Sequence, residues 1–228
     1  MSTSIAARSC WWLVRKDLSR ELRAQQMWPG MLLLGLGTVF LLATQIDLPA
    51  DARARVAGGL LWVAIFFAGT VALERSFAGE RDAGCWEVLR LCPVAPSTVY
   101  LAKLVVNLVS LLILEAVILP AFVALTDVPL FSRPGHLALV VALANIGFVA
   151  VGTLVSGLTA GLRHRGGVLA LLLLPLLAPV LLGAAEATRM VVVGQIDPLW
   201  WRWIHLLGVF AVVFTSLGLL AFEFVMEE

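Results

Sequence analysis

Six long apolar stretches constrain the fold of this chain more than any other feature of its sequence. They cover residues 28–46, 56–73, 104–125, 137–158, 168–185 and 204–225. A helix that crosses the hydrocarbon core of a bilayer needs about 20 mostly apolar residues. Because backbone groups in lipid must be hydrogen-bonded within the protein, such continuous stretches predict helices. The sequence therefore predicts an all-α polytopic membrane protein with six transmembrane helices in a single membrane domain over residues 1–228.

The composition excludes the other broad classes of protein. Hydrophobic residues make up 61% of the chain and charged residues 14%, whereas about 25% of a typical soluble domain is charged. A soluble globular domain, a disordered chain and a coiled coil are therefore all excluded. The formal net charge of +1 gives no general attraction to nucleic acid, so the lipid bilayer is the expected environment. The three cysteines have no C-x-x-C spacing and are expected to be free thiols.

The distribution of Lys and Arg predicts the orientation in the membrane. Eleven of the 16 basic residues fall in the N-terminal segment and in the second and fourth connections, and five fall on the opposite side. Basic residues are enriched in cytoplasmic loops. Both termini are therefore predicted to be cytoplasmic, in a multi-pass protein of the bacterial inner membrane.

The cytoplasmic segment 1–27 is too charged to span a bilayer. Trp11 and Trp12 lie on the apolar side of a helical pattern, and Arg15, Lys16 and Asp17 lie on the polar side. This pattern predicts an amphipathic elbow helix in the membrane interface. The helix is either a membrane anchor alone or also a contact for a partner.

The longest polar stretch is the predicted cytoplasmic coupling segment, residues 74–103. Glycine and proline bracket a short amphipathic helix within it, between Gly84 and Pro93. Such a coupling helix can dock onto a soluble ATPase, or it can simply cap the bundle. The candidate ATPase-coupling residues are Arg81, Asp82, Gly84, Cys85, Trp86, Glu87, Leu89 and Arg90.

Glu115 lies in the middle of the third apolar stretch. A charge at that depth costs at least about 2.5–3.5 kcal/mol on insertion scales. We therefore expect Glu115 to face the bundle interior, to be protonated or to have a partner. Asn107, about two turns earlier, is predicted to lie on roughly the same helix face. A functional role and a hydrogen bond that packs two helices are both open.

A tryptophan cluster precedes the sixth stretch and contains Trp200, Trp201 and Trp203, with His205 close behind. Tryptophans at this position usually form an interfacial belt. The alternative is a stacking surface for a planar ligand, with Arg202 contributing. We treat His136 and His205 as structural residues first and as ligand contacts second.

The motifs of several enzyme classes are missing. The sequence contains no G-x-x-x-x-G-K-[ST], no H-E-x-x-H and no G-x-S-x-G. No residue is therefore a candidate catalytic group, no metal site is expected, and the chain is predicted not to be an enzyme.

Several segments together resemble one known family. They are 59–64 with 72–75, then Gly84, Glu87, Leu89, Leu91 and Pro93 with 101–103, then 158–163 with 165–169 and Pro175, and the N-terminal 15–18 and 21–23. In these segments the chain resembles the haem exporter B (CcmB) family, the permease subunits of the cytochrome c maturation ABC transporter. Length, number of spans and orientation fit this resemblance as well.

The resemblance implies a fold like that of ABC-2-type exporters, in a permease with no ATPase of its own. It implies a separate ATPase subunit (A) that binds ATP, a haem-handling membrane subunit (C), a small membrane subunit (D) and a homodimer within the complex. Haem is then the expected substrate, with no firmly bound cofactor. Two other hypotheses about the function stay open. They are the permease of another ABC-2-type exporter for lipid, glycan or drug, and a non-transport membrane protein such as a scaffold or an intramembrane enzyme.

Overall fold

The computed structural model describes residues 11–19, 28–45, 48–76, 95–159 and 168–227, and all of their regular structure is helical. Residues 11–19 form helix α1. The other helices are α2 (Trp28–Gln45), α3 (Ala50–Ser76), α4 (Pro96–Thr126), α5 (Pro134–Thr159), α6 (Val168–Val193) and α7 (Pro198–Glu227), with one 3₁₀ turn at Leu130–Ser132.

The helices agree with the predicted apolar stretches, and several are longer. Five of them, α3 to α7, are long and apolar enough to cross a membrane. The apolar part of α2 is shorter and covers Pro29–Thr44. The prediction of an all-helical, multi-pass membrane chain is therefore confirmed, with five long spans and one shorter apolar helix among the described residues.

Four helices, α3, α4, α5 and α7, begin earlier than the apolar stretches predicted, and the starts of α4 and α7 change the assignment of predicted segments. α4 begins at Pro96. Residues 96–103 therefore belong to this long apolar helix and not to the predicted cytoplasmic coupling segment. Proline is favoured in the first turn of a helix because its missing N–H would be unpaired there anyway. α7 begins at Pro198, so the tryptophan cluster forms the first turns of a helix rather than part of a connection.

The helices form one bundle in which α3 and α5 are central. In each of these helices 67% of an apolar 18-residue stretch is buried inside the protein, against 33% in α4 and α6 and 22% in α7. α5 packs against α3, α4, α6 and α7, whereas α2 packs against α3 and α4 at the edge. We call the end that contains Pro96 and Thr159 the base, and the end that contains the connections 127–133 and 194–197 the top.

Glycines allow the central helices to approach closely. A Cβ atom on Gly152 of α5 would collide with the side chain of Leu73 on α3. One on Gly58 of α3 would collide with the carbonyl oxygen of Ala185 on α6. Small residues at such contacts are typical of membrane helices, whose association depends on close packing.

Candidate functional site

A row of polar side chains lies between α4 and α5. We call it the polar seam; its members are Tyr100, Asn107 and Glu115 on α4, and Asn145 and Thr153 on α5. All five are buried. The three members on α4 follow the helical period, which places them on the face of α4 that is turned toward α5. The seam thus places a row of polar side chains along the buried contact between α4 and α5.

Two side-chain pairs of the seam share one antiparallel register. Asn107 Nδ2 donates to Thr153 Oγ1 at 2.9 Å, and Asn145 Nδ2 donates to Glu115 Oε2 at 2.6 Å. The step from Asn107 to Glu115 along α4 matches the step from Thr153 back to Asn145 along α5. Nearer the base, the Tyr100 hydroxyl donates to the carbonyl oxygen of Ala150 at 3.1 Å.

The Glu115–Asn145 pair is almost completely buried. Glu115 is 1% exposed and Asn145 is 0% exposed. Glu115 therefore faces the bundle interior, as its position in the sequence predicted. Its partner is Asn145 on the neighbouring helix, while Asn107 bonds to Thr153 instead.

A buried ion pair joins α1 to the base of α4. Lys103 Nζ lies 2.9 Å from Asp17 Oδ2, and their side chains are 7% and 9% exposed. Lys16 also approaches Asp17, at 3.2 Å, but its side chain is 46% exposed. On the other side of α1, Trp11 and Trp12 are exposed, and the Arg15 guanidinium lies 5.7 Å from a Trp12 ring centroid. α1 therefore turns one acidic side chain toward the bundle and its tryptophans away from it.

Four aromatic rings form a chain at the top of the bundle. Ring centroids are 5.0 Å apart for His136 and Trp200, 5.0 Å for Trp200 and Trp201, and 6.5 Å for Trp201 and His205. We call this set the aromatic chain. It joins the start of α5 to the first two turns of α7.

The members of the tryptophan cluster have different environments. Trp200 is fully buried, and its indole N–H donates to the carbonyl oxygen of Ala187 at 3.2 Å. Trp201 is 49% exposed. Trp203 is half-buried, and its indole N–H has no hydrogen-bond partner among the described residues. Trp201 and His205 are therefore the exposed members of the aromatic chain, whereas His136 is half-buried.

Asp197 fixes the start of the helix that carries the cluster. Its Oδ1 accepts hydrogen bonds from the backbone N–H of Leu199 at 2.9 Å and of Trp200 at 3.1 Å. An aspartate cap followed by proline is a strong helix-start signal. The Asp197–Pro198 sequence therefore contained the information that places Trp200 in the first turn of a helix.

The predicted ATPase-coupling residues lie outside the described residues. They are Arg81, Asp82, Gly84, Cys85, Trp86, Glu87, Leu89 and Arg90, all within 77–94. The chain enters this segment from α3 and leaves it at the N-terminus of α4.

Across the described ranges, no three His, Cys, Asp or Glu side chains are grouped closely enough to hold a metal ion.

Comparison with known proteins identifies the family. Residues 8–227 match the family model described as CcmB protein. This chain belongs to the CcmB family. The match covers α1 to α7 and the connections between them, so the polar seam and the aromatic chain are both features of a CcmB protein.

Curated relatives of this CcmB chain carry the name Heme exporter protein B. The Rhodobacter capsulatus protein is 30% identical over 182 residues, which cover 77% of this chain and 82% of the relative. The Paracoccus denitrificans protein is 30% identical over 145 residues, or 64% of this chain and 66% of the relative. The Escherichia coli protein is 31% identical over 138 residues, or 59% of this chain and 60% of the relative. The chain thus aligns with most of the first relative and with about two thirds or less of the other two.

Proposed function

We propose that this CcmB chain is the permease subunit of an ABC transporter that handles or exports haem for cytochrome c maturation, and that a separate ATPase subunit drives it. The observation that carries the proposal is the family match over residues 8–227. The name of the relatives supports haem as the substrate. The helical bundle with five long apolar helices suits a membrane subunit.

The finer architecture belongs to the same proposal. We take α2 as a sixth span because its 18 residues make a helix about 27 Å long, close to the bilayer core of about 30 Å. A modest thickness mismatch of this kind is absorbed by local thinning of the bilayer. α1 would then be the elbow helix, with Trp11 and Trp12 in the interface and both termini in the cytoplasm. The whole would form an ABC-2-exporter-like domain in the inner membrane.

The position of residues 77–94 supports the coupling role. This segment connects α3, a central helix, with α4, which carries three of the five residues of the polar seam. A subunit docked there could move both helices at once. Trp86 would supply the apolar contact, and Glu87 would supply a charge for a basic group of the ATPase.

Substitutions in this segment test the coupling. Trp86→Ala and Glu87→Arg should lower transporter-dependent ATP hydrolysis by about tenfold each, the effect of losing about 1.4 kcal/mol of docking energy. Membrane insertion should be unchanged. The measurement is ATPase activity of the purified complex, with Ser132→Ala at the top as the control. Normal co-purification and normal ATP-driven activity in both variants would contradict the assignment.

The proposed partners are testable by affinity purification in mild detergent. We expect an ABC ATPase (A), a haem-handling membrane subunit (C) and a small membrane subunit (D), with two copies of this chain in the complex and haem in the absorption spectrum. An ATPase found with unrelated membrane partners and no haem would favour another exporter. Recovery without any ATPase would favour a non-transport scaffold.

Haem contact at the top is a further part of the proposal. Trp201 and His205 are exposed members of the aromatic chain, and Arg202 is exposed beside them. Flat rings and a cation can hold a planar anionic ligand. Trp200 and Trp203 would support this surface from within.

A pair of equally exposed aromatic residues tests this contact. Trp201 and Phe131 are both 49% exposed, and both lie at the top. Trp201→Ala should reduce the haem absorbance of the purified complex several-fold, whereas Phe131→Ala should leave it unchanged. Equal haem content in the two variants would remove this surface from the proposed haem path.

A further inference from the structure

Two oxygen atoms inside the bundle have no hydrogen-bond partner among the described residues. They are Glu115 Oε1 and Asn145 Oδ1, both buried side-chain atoms. The other halves of the same two groups are bonded, because Asn145 Nδ2 donates to Glu115 Oε2 at 2.6 Å. The two unpaired atoms thus belong to groups that already touch each other.

An ionised Glu115 would leave both oxygens unpaired. A carboxylate and an amide carbonyl are both acceptors, and neither can donate to the other. Among the described residues, no basic side chain forms an ion pair with Glu115. The basic residue on the same helix, Lys103, lies twelve positions earlier, about 18 Å along the axis, and pairs with Asp17. A buried, unpaired charge is strongly unfavourable.

A single proton on Glu115 pairs both oxygen atoms and removes the buried charge. A proton on Glu115 Oε1 makes it a donor, and the Asn145 carbonyl oxygen is the acceptor on the partner group. The carboxylic acid and the amide would then be joined by two parallel hydrogen bonds in a closed ring. The pair would be neutral, as the apolar surroundings favour.

We propose that Glu115 holds a proton in the folded protein, and that Glu115 and Asn145 form a neutral acid–amide clasp between α4 and α5. The clasp is a proton-binding site in the bundle, and it does not depend on haem or on the ATPase. Its role is to fix the register of α4 against α5 at the level where α4 would otherwise carry a buried charge.

Glutamine at position 115 is the decisive substitution. Its amide N–H replaces the carboxyl O–H, and its carbonyl oxygen keeps the bond from Asn145. The melting temperature of Glu115→Gln in detergent should therefore lie within about 2 °C of that of the wild-type chain. Glu115→Leu and Asn145→Leu each leave a buried polar partner unpaired and should unfold about 2–8 °C lower. A Glu115→Gln variant as unstable as Glu115→Leu would overturn the proposal.

Infrared spectroscopy of the reconstituted protein at neutral pH gives an independent readout. The wild-type chain should show the C=O stretch of a protonated carboxylic acid, and Glu115→Gln should lack that band. The control is Glu186→Gln, because Glu186 is a partly exposed carboxylate paired with Arg189 Nε at 2.8 Å. That variant should keep the band. A wild-type spectrum without the band, or a band of unchanged intensity in Glu115→Gln, would overturn the proposal.

Discussion

Gly58 and Gly59 are neighbours on α3 with very different surroundings. A Cβ atom on Gly58 would collide with the Ala185 carbonyl oxygen and lie 3.1 Å from the Arg189 backbone nitrogen. A Cβ atom on Gly59 would have nothing within 4 Å. Backbone atoms cannot rotate away as a side chain can, so the α3–α6 contact depends on one glycine and tolerates change at the next.

Alanine at these two positions should therefore have unequal effects. Gly58→Ala should destabilise the bundle by about 1–3 kcal/mol, the usual range for overpacking. Gly59→Ala should be neutral or slightly stabilising, since alanine is the better helix former. Thermal unfolding in detergent measures both. Equal melting temperatures would show that α3 and α6 separate easily at this level.

Single residues were predictable from the sequence where their chemistry contradicts their surroundings. Glu115 stands out as a carboxylate among leucines, and its interior position follows from that alone. Its partner did not follow, because Asn145 lies on another helix and the pairing depends on the register of α4 and α5. An asparagine in an apolar stretch was the available signal. Trp200 was predicted to lie in the connection before the sixth stretch, whereas it lies in the first turn of α7, because the Asp197–Pro198 helix start was not used.

At the scale of elements, α1 contacts the bundle through one buried ion pair and through the partly buried Leu13. The Asp17–Lys103 pair ties it to the base of α4, directly after the proposed coupling segment. The amphipathic pattern predicted α1 and its tryptophans. It did not predict that Asp17, on the polar side, would face the bundle, because the position of Lys103 within α4 was hidden by the late predicted start of that helix.

Removing Asp17 should loosen this attachment. Asp17→Ala leaves Lys103 buried without this partner and should destabilise the chain by about 3 kcal/mol, the lower part of the range for a broken buried pair. Lys16→Ala removes only the exposed partner and should cost less than about 1 kcal/mol. Limited proteolysis of the N-terminal region and thermal unfolding measure both changes. Similar losses in the two variants would argue against the buried pair as the main attachment.

At the scale of the whole molecule, hydropathy predicted which segments are helices but not how they are arranged. Hydropathy alone does not distinguish the central α3 and α5 from the outer α7, because lipid and protein interior are both apolar. Glycine positions are a partial guide, since α5 is rich in small residues. The order of the helices around the bundle depends on side-chain fit, which a pattern of hydrophobicity does not contain.

Thiol labelling tests the proposed orientation of the whole chain. Cys85 and Cys92 belong to the proposed cytoplasmic segment, and Ser132 is exposed at the top. A membrane-impermeant maleimide should label the native cysteines in inverted vesicles and not in intact spheroplasts. Ser132→Cys, placed in a chain without other cysteines, should show the opposite pattern. Labelling of Cys85 from outside would place the coupling segment on the wrong side for any ATPase.

The length of α4 has a mechanical consequence. Its 31 residues make a helix about 46 Å long. Its N-terminus, the foot of the helix, follows the proposed docking segment, and its C-terminus, the far end, lies at the turn before α5. By lever geometry, a tilt of about 5° at the foot would swing the far end by about 4 Å over that length. A small stroke delivered beneath the bilayer would thus be amplified at the opposite surface, with the acid–amide clasp partway along the arm.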